Sequence, residues 1–139
     1  MIPGMPLIYS GQEAGLNKRL RFFEKDTIDW TTVKYHDFYT RLISMKKDHK
    51  PLWNGAYGAP MVQLENNYPL QVVSFARMQD DVAVIAIFNL SDEPVTGLKV
   101  KLNDFSGKMT QPLSGKQVEL AAEATLNLEP WQYEVFVKE

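Results

Sequence analysis

The second half of the chain alternates short apolar segments with turn residues, and this pattern restricts the fold more than any other feature of the sequence. Segments with the composition of β-strands recur at a spacing of roughly ten residues, and they cover residues 61–65, 70–78, 82–90, 95–102, 117–120, 124–128 and 132–137. Turn signals such as Asn66-Asn67 and Asn103-Asp104 separate them. This arrangement is typical of an antiparallel sandwich or barrel. We therefore predict a mainly β fold, with an antiparallel β-sandwich.

Two of the predicted strands also indicate which of their faces are buried. In the segment 95–102, Leu98 and Val100 point to one side while Lys99 and Lys101 point to the other. Such alternation is expected of a strand with one face in water. Residues 82–88 are almost continuously apolar, which indicates a central strand covered on both faces.

Residues 1–50 follow a different pattern, that of one strand, one loop and one helix. An apolar run over residues 5–9 leads into Ser10-Gly11-Gln12-Glu13, which predicts a short buried strand that stops at a tight polar turn. A helical period then runs from about Val33 to Asp48. Thr31 and Thr32 are expected to cap its start, and Pro51 prevents its continuation. The helix carries one apolar stripe, formed by Phe38, Leu42 and Met45 and widened by Tyr39 and Ile43.

Composition excludes several classes of function. The net charge of −2 and the lack of a Lys- or Arg-rich stretch argue against nucleic acid as a partner. The chain contains no cysteine, so thiolate chemistry and cysteine metal sites are excluded. His36 and His49 stand at opposite ends of one predicted helix, about 20 Å apart, and cannot share a metal ion. We expect no cofactor, no metal and no membrane span, and the sequence assigns no cellular compartment.

Several motifs connect these elements to a known family. The block Gly4-x-Pro6-x-x-Tyr9-x-Gly11-x-Glu13 resembles the pattern that marks the eighth barrel strand in the α-amylase family of glycoside hydrolases. Phe38-Tyr39-x-x-Leu42-Ile43 is similar to the family's eighth helix, and Pro51-Leu52-Trp53 is similar to the exit from its barrel. Two later segments are similar to its C-terminal sandwich, Phe88-Asn89-Leu90-Ser91 and Leu128-Glu129-Pro130. The motifs are specific up to about residue 55 and weaker afterwards.

The resemblance implies that the chain is a C-terminal fragment of such an enzyme. Residues 1–50 would be the remnant of a (β/α)8 catalytic barrel, a terminal strand-loop-helix unit, and residues 51–139 the C-terminal antiparallel β-sandwich domain. The parent would hydrolyse α-glucans of the starch or maltodextrin type with retention, using a carboxylate pair about 5 Å apart. In the family, those carboxylates come from barrel strands four, five and seven, which lie outside this sequence. We therefore expect no catalytic residue here and no activity from this chain alone.

The candidate binding residues lie at the end of the predicted barrel strand. Gln12 and Glu13 would line the substrate cleft of the parent, because functional groups collect at the C-terminal ends of barrel strands. The alternative is that they orient the loop through hydrogen bonds to the backbone. Asp26 and Asp29 are interpreted as turn and capping residues.

The aromatic residues allow two interpretations. Trp53 and Tyr57 would either stack against sugar rings or pack between two domains. Trp131 and Tyr133 are predicted to pack in the core or at the edge of the last strand.

Two further predictions concern function and association. The alternative to a hydrolase fragment is a free-standing carbohydrate-binding β-sandwich module, although such a module has no use for residues 1–50. A structural domain unrelated to sugars is a third interpretation. In a parent enzyme the α-glucan is the expected partner. In isolation, the strand lacks its partner strands in the barrel, and the helix stripe lacks the barrel that it should cover. We therefore expect self-association through residues 1–50.

Overall fold

The computed structural model describes residues 1–139 and contains one helix and eight strands. The helix α1 comprises His36–Asp48. The strands are β1 Val62–Gln63, β2 Val72–Gln79, β3 Val82–Asn89, β4 Val95–Lys101, β5 Gly107–Gln111, β6 Lys116–Leu120, β7 Glu123–Leu128 and β8 Tyr133–Lys138. Short 3₁₀ turns occupy Lys50–Leu52, Gly55–Tyr57 and Asn103–Phe105. The helix is too short and too polar to cross a membrane.

The strands form two antiparallel sheets, so the predicted fold class is confirmed. The larger sheet has the order β1-β2-β3-β8-β5-β6, and β4 pairs with β7 in a second sheet of two strands. Consecutive strands β2 and β3 pair as a hairpin, with Val72 opposite Asn89 and Gln79 opposite Val82. Strand β8 returns to pair with β3, with Ala83 opposite Lys138.

The sandwich core lies between the two sheets. Thirteen buried residues form it: Leu64, Val72, Ala76, Ile85, Ile87, Val95, Leu98, Val100, Leu102, Met109, Ala124, Leu128 and Phe136. Strand β3 sends Ile85 and Ile87 into this core, while Val84 belongs to a second buried cluster with Met45 and Leu52. The prediction that this strand is covered on both faces is therefore confirmed. The larger sheet is the middle layer between β4-β7 and α1.

Helix α1 packs on the larger sheet through the predicted stripe. Met45 is buried, Leu42 is half-buried, and the Phe38 ring lies 6.1 Å from the ring of Tyr133. Ile43, predicted to widen the stripe, is 53% exposed.

The start of the helix differs from the prediction. The helix begins at His36, its N-cap is Tyr35, and no side chain caps it. Thr31 instead bonds to the Asp29 carboxylate, so neither Thr31 nor Thr32 serves as the cap.

The predicted first strand is not formed. Residues 5–9 have no strand structure, and the side chains of Met5 and Leu7 are 85% and 81% exposed. A β-strand needs a neighbouring strand to take its backbone hydrogen bonds, and no strand of this chain pairs with these residues. The predicted turn after them does form, with Gln12 N–H bonded to Tyr9 O at 3.0 Å.

Candidate functional site

Gln12 lies in the turn that follows the apolar run and stabilises that turn. Its Oε1 accepts the backbone N–H of Tyr9 at 2.6 Å, which is the loop-orienting role considered for it. The residue is exposed, and it also borders an apolar cavity described below. Gly11 beside it is buried at φ +88°, and a Cβ there would meet Leu16 at 3.0 Å. The turn therefore requires glycine at this position.

Glu13 is placed beside Gln12 on the same turn. Its carbonyl accepts the N–H of Tyr35 at 2.8 Å, which connects the turn to the start of α1. Its side chain is half-buried, and Oε2 is buried without any hydrogen-bond partner. A buried carboxylate oxygen that accepts no hydrogen bond is costly. This oxygen is thus a buried acceptor without a partner in the segment formed by residues 1–35.

Asp26 and Asp29 organise the loop between the turn and the helix. Asp26 accepts hydrogen bonds from Lys18 Nζ at 2.7 Å, Arg21 N at 3.1 Å and Thr27 N at 2.8 Å. These bonds, led by that from Lys18, lower the pKa of Asp26 to about 2. The hydroxyl and N–H of Thr31 likewise lower the pKa of Asp29. Both carboxylates are turn residues, as the sequence indicated.

The first 35 residues and α1 leave a large apolar surface uncovered. A cavity of about 460 Å³ lies between the N-terminal segment, α1 and the larger sheet, and 14 of its 17 lining residues are hydrophobic. Outside the cavity, the side chains of Phe22, Phe23 and Trp30 are 85%, 92% and 52% exposed.

The total accessible surface area of the chain is also larger than expected for a folded monomer. The chain exposes 9584 Å², whereas a folded monomer of its mass exposes about 7,400 Å². The excess of about 2,200 Å² is larger than the roughly 800 Å² that one partner contributes to a standard interface.

Arg77 connects the N-terminal segment and the linker to the larger sheet. It lies on β2 and is 2% exposed. Its guanidinium donates to three carbonyls, from Nε to Ala59 O at 2.9 Å, from Nη1 to Met1 O at 3.1 Å and from Nη2 to Trp53 O at 3.1 Å. No carboxylate contacts it, and burial lowers its pKa. Sequence reasoning missed this residue, although an arginine within the apolar segment 70–78 was a visible signal.

Trp53 belongs to the same junction. Its indole Nε1–H donates to Lys47 O near the end of α1 at 2.9 Å, and Lys46 Nζ donates to Leu52 O at 2.5 Å. Burial, and secondarily Arg77, lowers the pKa of Lys46. These contacts favour a packing role for Trp53 between helix and sandwich, whereas Tyr57 is 76% exposed.

Trp131 is not in the last strand, so the prediction that it packs in the core or at the strand edge is wrong. It stands in the turn Glu129-Pro130-Trp131-Gln132, which is closed by Gln132 N–H to Glu129 O at 3.1 Å. Its φ is 60° and its side chain is 64% exposed. Tyr133 does lie in β8, 39% exposed, with its ring against Phe38.

Asn89 joins that turn to the preceding one. It is completely buried, and its Nδ2 donates to Glu93 O at 2.7 Å and to Glu129 O at 2.9 Å. Its Oδ1 accepts the N–H and the hydroxyl of Ser91 at 3.1 Å and 2.7 Å. The Asn-Leu-Ser triplet is therefore a structural clamp between two turns.

No group of three or more His, Asp or Glu side chains is placed to hold a metal ion. The carboxylates of Asp26 and Asp29 are engaged in turns, whereas Oε2 of Glu13 is a buried acceptor without a hydrogen-bond partner.

Solved structures provide the comparison. No protein-family model matches the sequence, and no curated protein matches it significantly. The maltogenic α-amylase AmyB of Thermotoga neapolitana aligns with 98% of this chain at a TM-score of 0.78 and 14% identity, and Ttha1563 of Thermus thermophilus aligns with 99% at a TM-score of 0.70 and 19% identity. AmyP in complex with maltose aligns with 80% at a TM-score of 0.61 and 18% identity.

The chain matches only a small part of each of these proteins. The chain spans 33% of AmyB, 29% of Ttha1563 and 23% of AmyP. The sequence resemblance and the structural similarity thus agree at the level of fold, and the chain has the fold of a C-terminal part of an α-amylase family enzyme.

Proposed function

We propose that this chain is the C-terminal part of an α-glucan glycoside hydrolase, and that it stabilises a catalytic barrel without supplying a catalytic carboxylate. The observation that supports the proposal most directly is the coverage, since almost the whole chain aligns with one third of an α-amylase. The remaining two thirds of such an enzyme would be the partner.

The uncovered apolar surface supports the same partner. The excess of about 2,200 Å² comes with exposed side chains in the first 35 residues, among them Phe22 and Phe23. Burial of apolar surface contributes about 25 cal/mol per Å², so covering this face would stabilise both parts. Residues 1–50 would complete the barrel, and residues 51–139 would form the domain that buttresses it.

Gln12 and Glu13 would then stand at the catalytic end of the barrel and line its cleft. The half-buried side chain of Glu13 would offer its carboxylate to a barrel residue or to a sugar hydroxyl. Substrate contact through the parent enzyme is the role that we propose for this pair.

Without a barrel, the same surface would be covered by a second copy of the chain. Twelve of the 22 exposed large hydrophobic residues lie in the first 35 positions or on α1, so self-association would run through residues 1–50. Free monomer would expose them to water.

A complementation experiment tests the proposal. AmyB shortened by the third that aligns with this chain is mixed or co-expressed with the chain, and hydrolysis of maltotriose is measured. The chain should restore soluble, active enzyme, whereas the shortened protein alone should be insoluble or weakly active. The proposal fails if AmyB's own missing third restores activity and this chain does not.

A variant of the chain provides the matched control. Phe22→Ser/Phe23→Ser removes two exposed apolar side chains that no contact within the chain requires beyond their own ring pair. It should complement less well than the parent chain while retaining the same fold by circular dichroism.

A further inference from the structure

We propose that Trp131, in the turn before the last strand of the sandwich, is a stacking platform for an α-glucan chain. The class of ligand rests on the proposed function. The two hydrogen-bonded turns concerned, called the Trp131 surface here, carry Leu90, Asp92, Glu93, Glu129 and Trp131.

The backbone at Trp131 is the first observation. Pro130 and Trp131 are the two central residues of a four-residue turn, and the second of them has φ 60°. A turn with proline first and positive φ second is a type II turn, whose second central position favours glycine or asparagine. A bulky aromatic residue in this conformation is strained. Strain that persists at one residue is a reason to look for a function there.

Packing does not account for the residue. The indole is 64% exposed, so little of its apolar surface contributes to the fold. Tyr133, two residues later, is the aromatic residue that packs against α1. Trp131 thus has a large side chain at a position where neither the backbone conformation nor burial favours one.

The turn that carries the indole is held firmly. Trp131 N–H donates to Ser91 O at 3.1 Å, and buried Asn89 bonds to the carbonyls of Glu93 and Glu129. Two turns are thereby joined into one scaffold. A rigid platform loses less conformational entropy when a ligand binds.

The surroundings suit the hydroxyl groups and ring faces of a neutral sugar. Leu90 is 56% exposed on the same pair of turns. The side chains of Asp92, Glu93 and Glu129 are exposed and take part in no ion pair. Their carboxylates can accept hydrogen bonds from hydroxyls, while the flat indole packs against the apolar face of a pyranose ring.

Binding of maltoheptaose to the full chain tests the proposal, measured by isothermal titration calorimetry and by NMR of the indole N–H signals. Saturable binding with the Trp131 signal shifting most is the expected result. Trp131→Gly, which removes the ring and relieves the backbone, should weaken binding by at least about tenfold and leave the melting temperature unchanged or raised. Trp131→Tyr should bind within a factor of about three of the parent chain.

Controls separate this site from other aromatic residues and other ligands. Tyr57→Ala removes an aromatic side chain that is 76% exposed and should bind as the parent chain does. The proposal is overturned if Trp131→Gly binds normally, if Tyr57→Ala loses as much, or if the chain binds oligolysine at this surface and no maltoheptaose.

The two proposals fail separately. Complementation of shortened AmyB on maltotriose reports the proposed function and does not require Trp131. If Trp131→Gly complements normally while the parent chain binds no maltoheptaose, the platform is wrong and the hydrolase assignment stands. If the chain binds maltoheptaose through Trp131 and complements nothing, the carbohydrate-binding module becomes the better description.

Discussion

Arg77 donates from Nη2 to the carbonyl oxygen of Trp53 at 3.1 Å, which ties the linker after α1 to strand β2 of the larger sheet. The same guanidinium reaches Ala59 and Met1, so one side chain on β2 satisfies three carbonyls. A guanidinium offers five N–H donors in a fixed fork, and this geometry allows it to serve three separate backbone segments at once.

Replacing Arg77 should therefore destabilise the fold. Arg77→Ala leaves buried carbonyls without donors, and we expect a loss of about 2–4 kcal/mol in the free energy of unfolding. Arg77→Lys keeps a charge but loses the fork, and should also be destabilised. Urea unfolding followed by tryptophan fluorescence measures both. Arg19→Ala, at an exposed position, is the control and should change stability by no more than about 0.5 kcal/mol.

Asn89 should be almost as sensitive. Asn89→Ala removes both donors to the carbonyls of Glu93 and Glu129 and the acceptor for Ser91, and about 2–3 kcal/mol of stability should be lost. Asn89→Asp keeps the acceptor and loses the donors, so its stability shows whether the donated or the accepted hydrogen bonds contribute more. Asn17→Ala at an exposed position is the matched control. A thermal melt in which Asn89→Ala matches the parent chain would show that the two turns hold without this clamp.

The sequence predicted those parts of the fold that depend on local pattern. Strand β3 was recognisable as doubly covered because Val84, Ile85 and Ile87 are adjacent in one apolar run, and burial on two faces leaves no polar alternation. Strand β5 was missed because its sequence Gly107-Lys-Met-Thr-Gln has a single apolar residue, Met109, which points into the core. Its place between β8 and β6 depends on pairing with distant strands, which a local pattern does not reveal.

The remaining differences also arise from long-range contacts. Residues 5–9 have the composition of a strand, but strand structure requires a partner, and none pairs with them. Trp131 differs for a local reason instead: Tyr133 and Val135 alternate with it as in a strand, but Pro130 places it in a turn. Glu13 was identified as a candidate from its motif, while its buried vacant oxygen could be seen only in the structure.

Protonation of Asp26 at acid pH should destabilise the loop that contains it. Its pKa is lowered from 3.8 to about 2 in the folded chain, chiefly by Lys18. A lowered pKa contributes stability that is present above pH 3.8 and is lost as the pH falls toward 2. The Asp26 carboxyl should titrate near pH 2 by NMR, and the amides of Arg21 and Thr27 should lose protection in the same range. In Asp26→Asn the loss of amide protection at acid pH should disappear. If Asp26→Asn shows the same pH dependence as the parent chain, a group other than Asp26 causes it.

The isolated chain should self-associate through its first fifty residues. Phe22 and Phe23 are 85% and 92% exposed, and apolar surface of this kind is covered when copies of the chain meet. Light scattering after size exclusion should give a dimer or larger species, against 15.9 kDa for the monomer. Phe22→Ser/Phe23→Ser should shift the distribution toward monomer, whereas Tyr57→Ser, an exposed aromatic outside residues 1–50, should not. A monomer at every concentration would mean that this surface is stable in water, and the argument for a missing barrel would lose its physical basis.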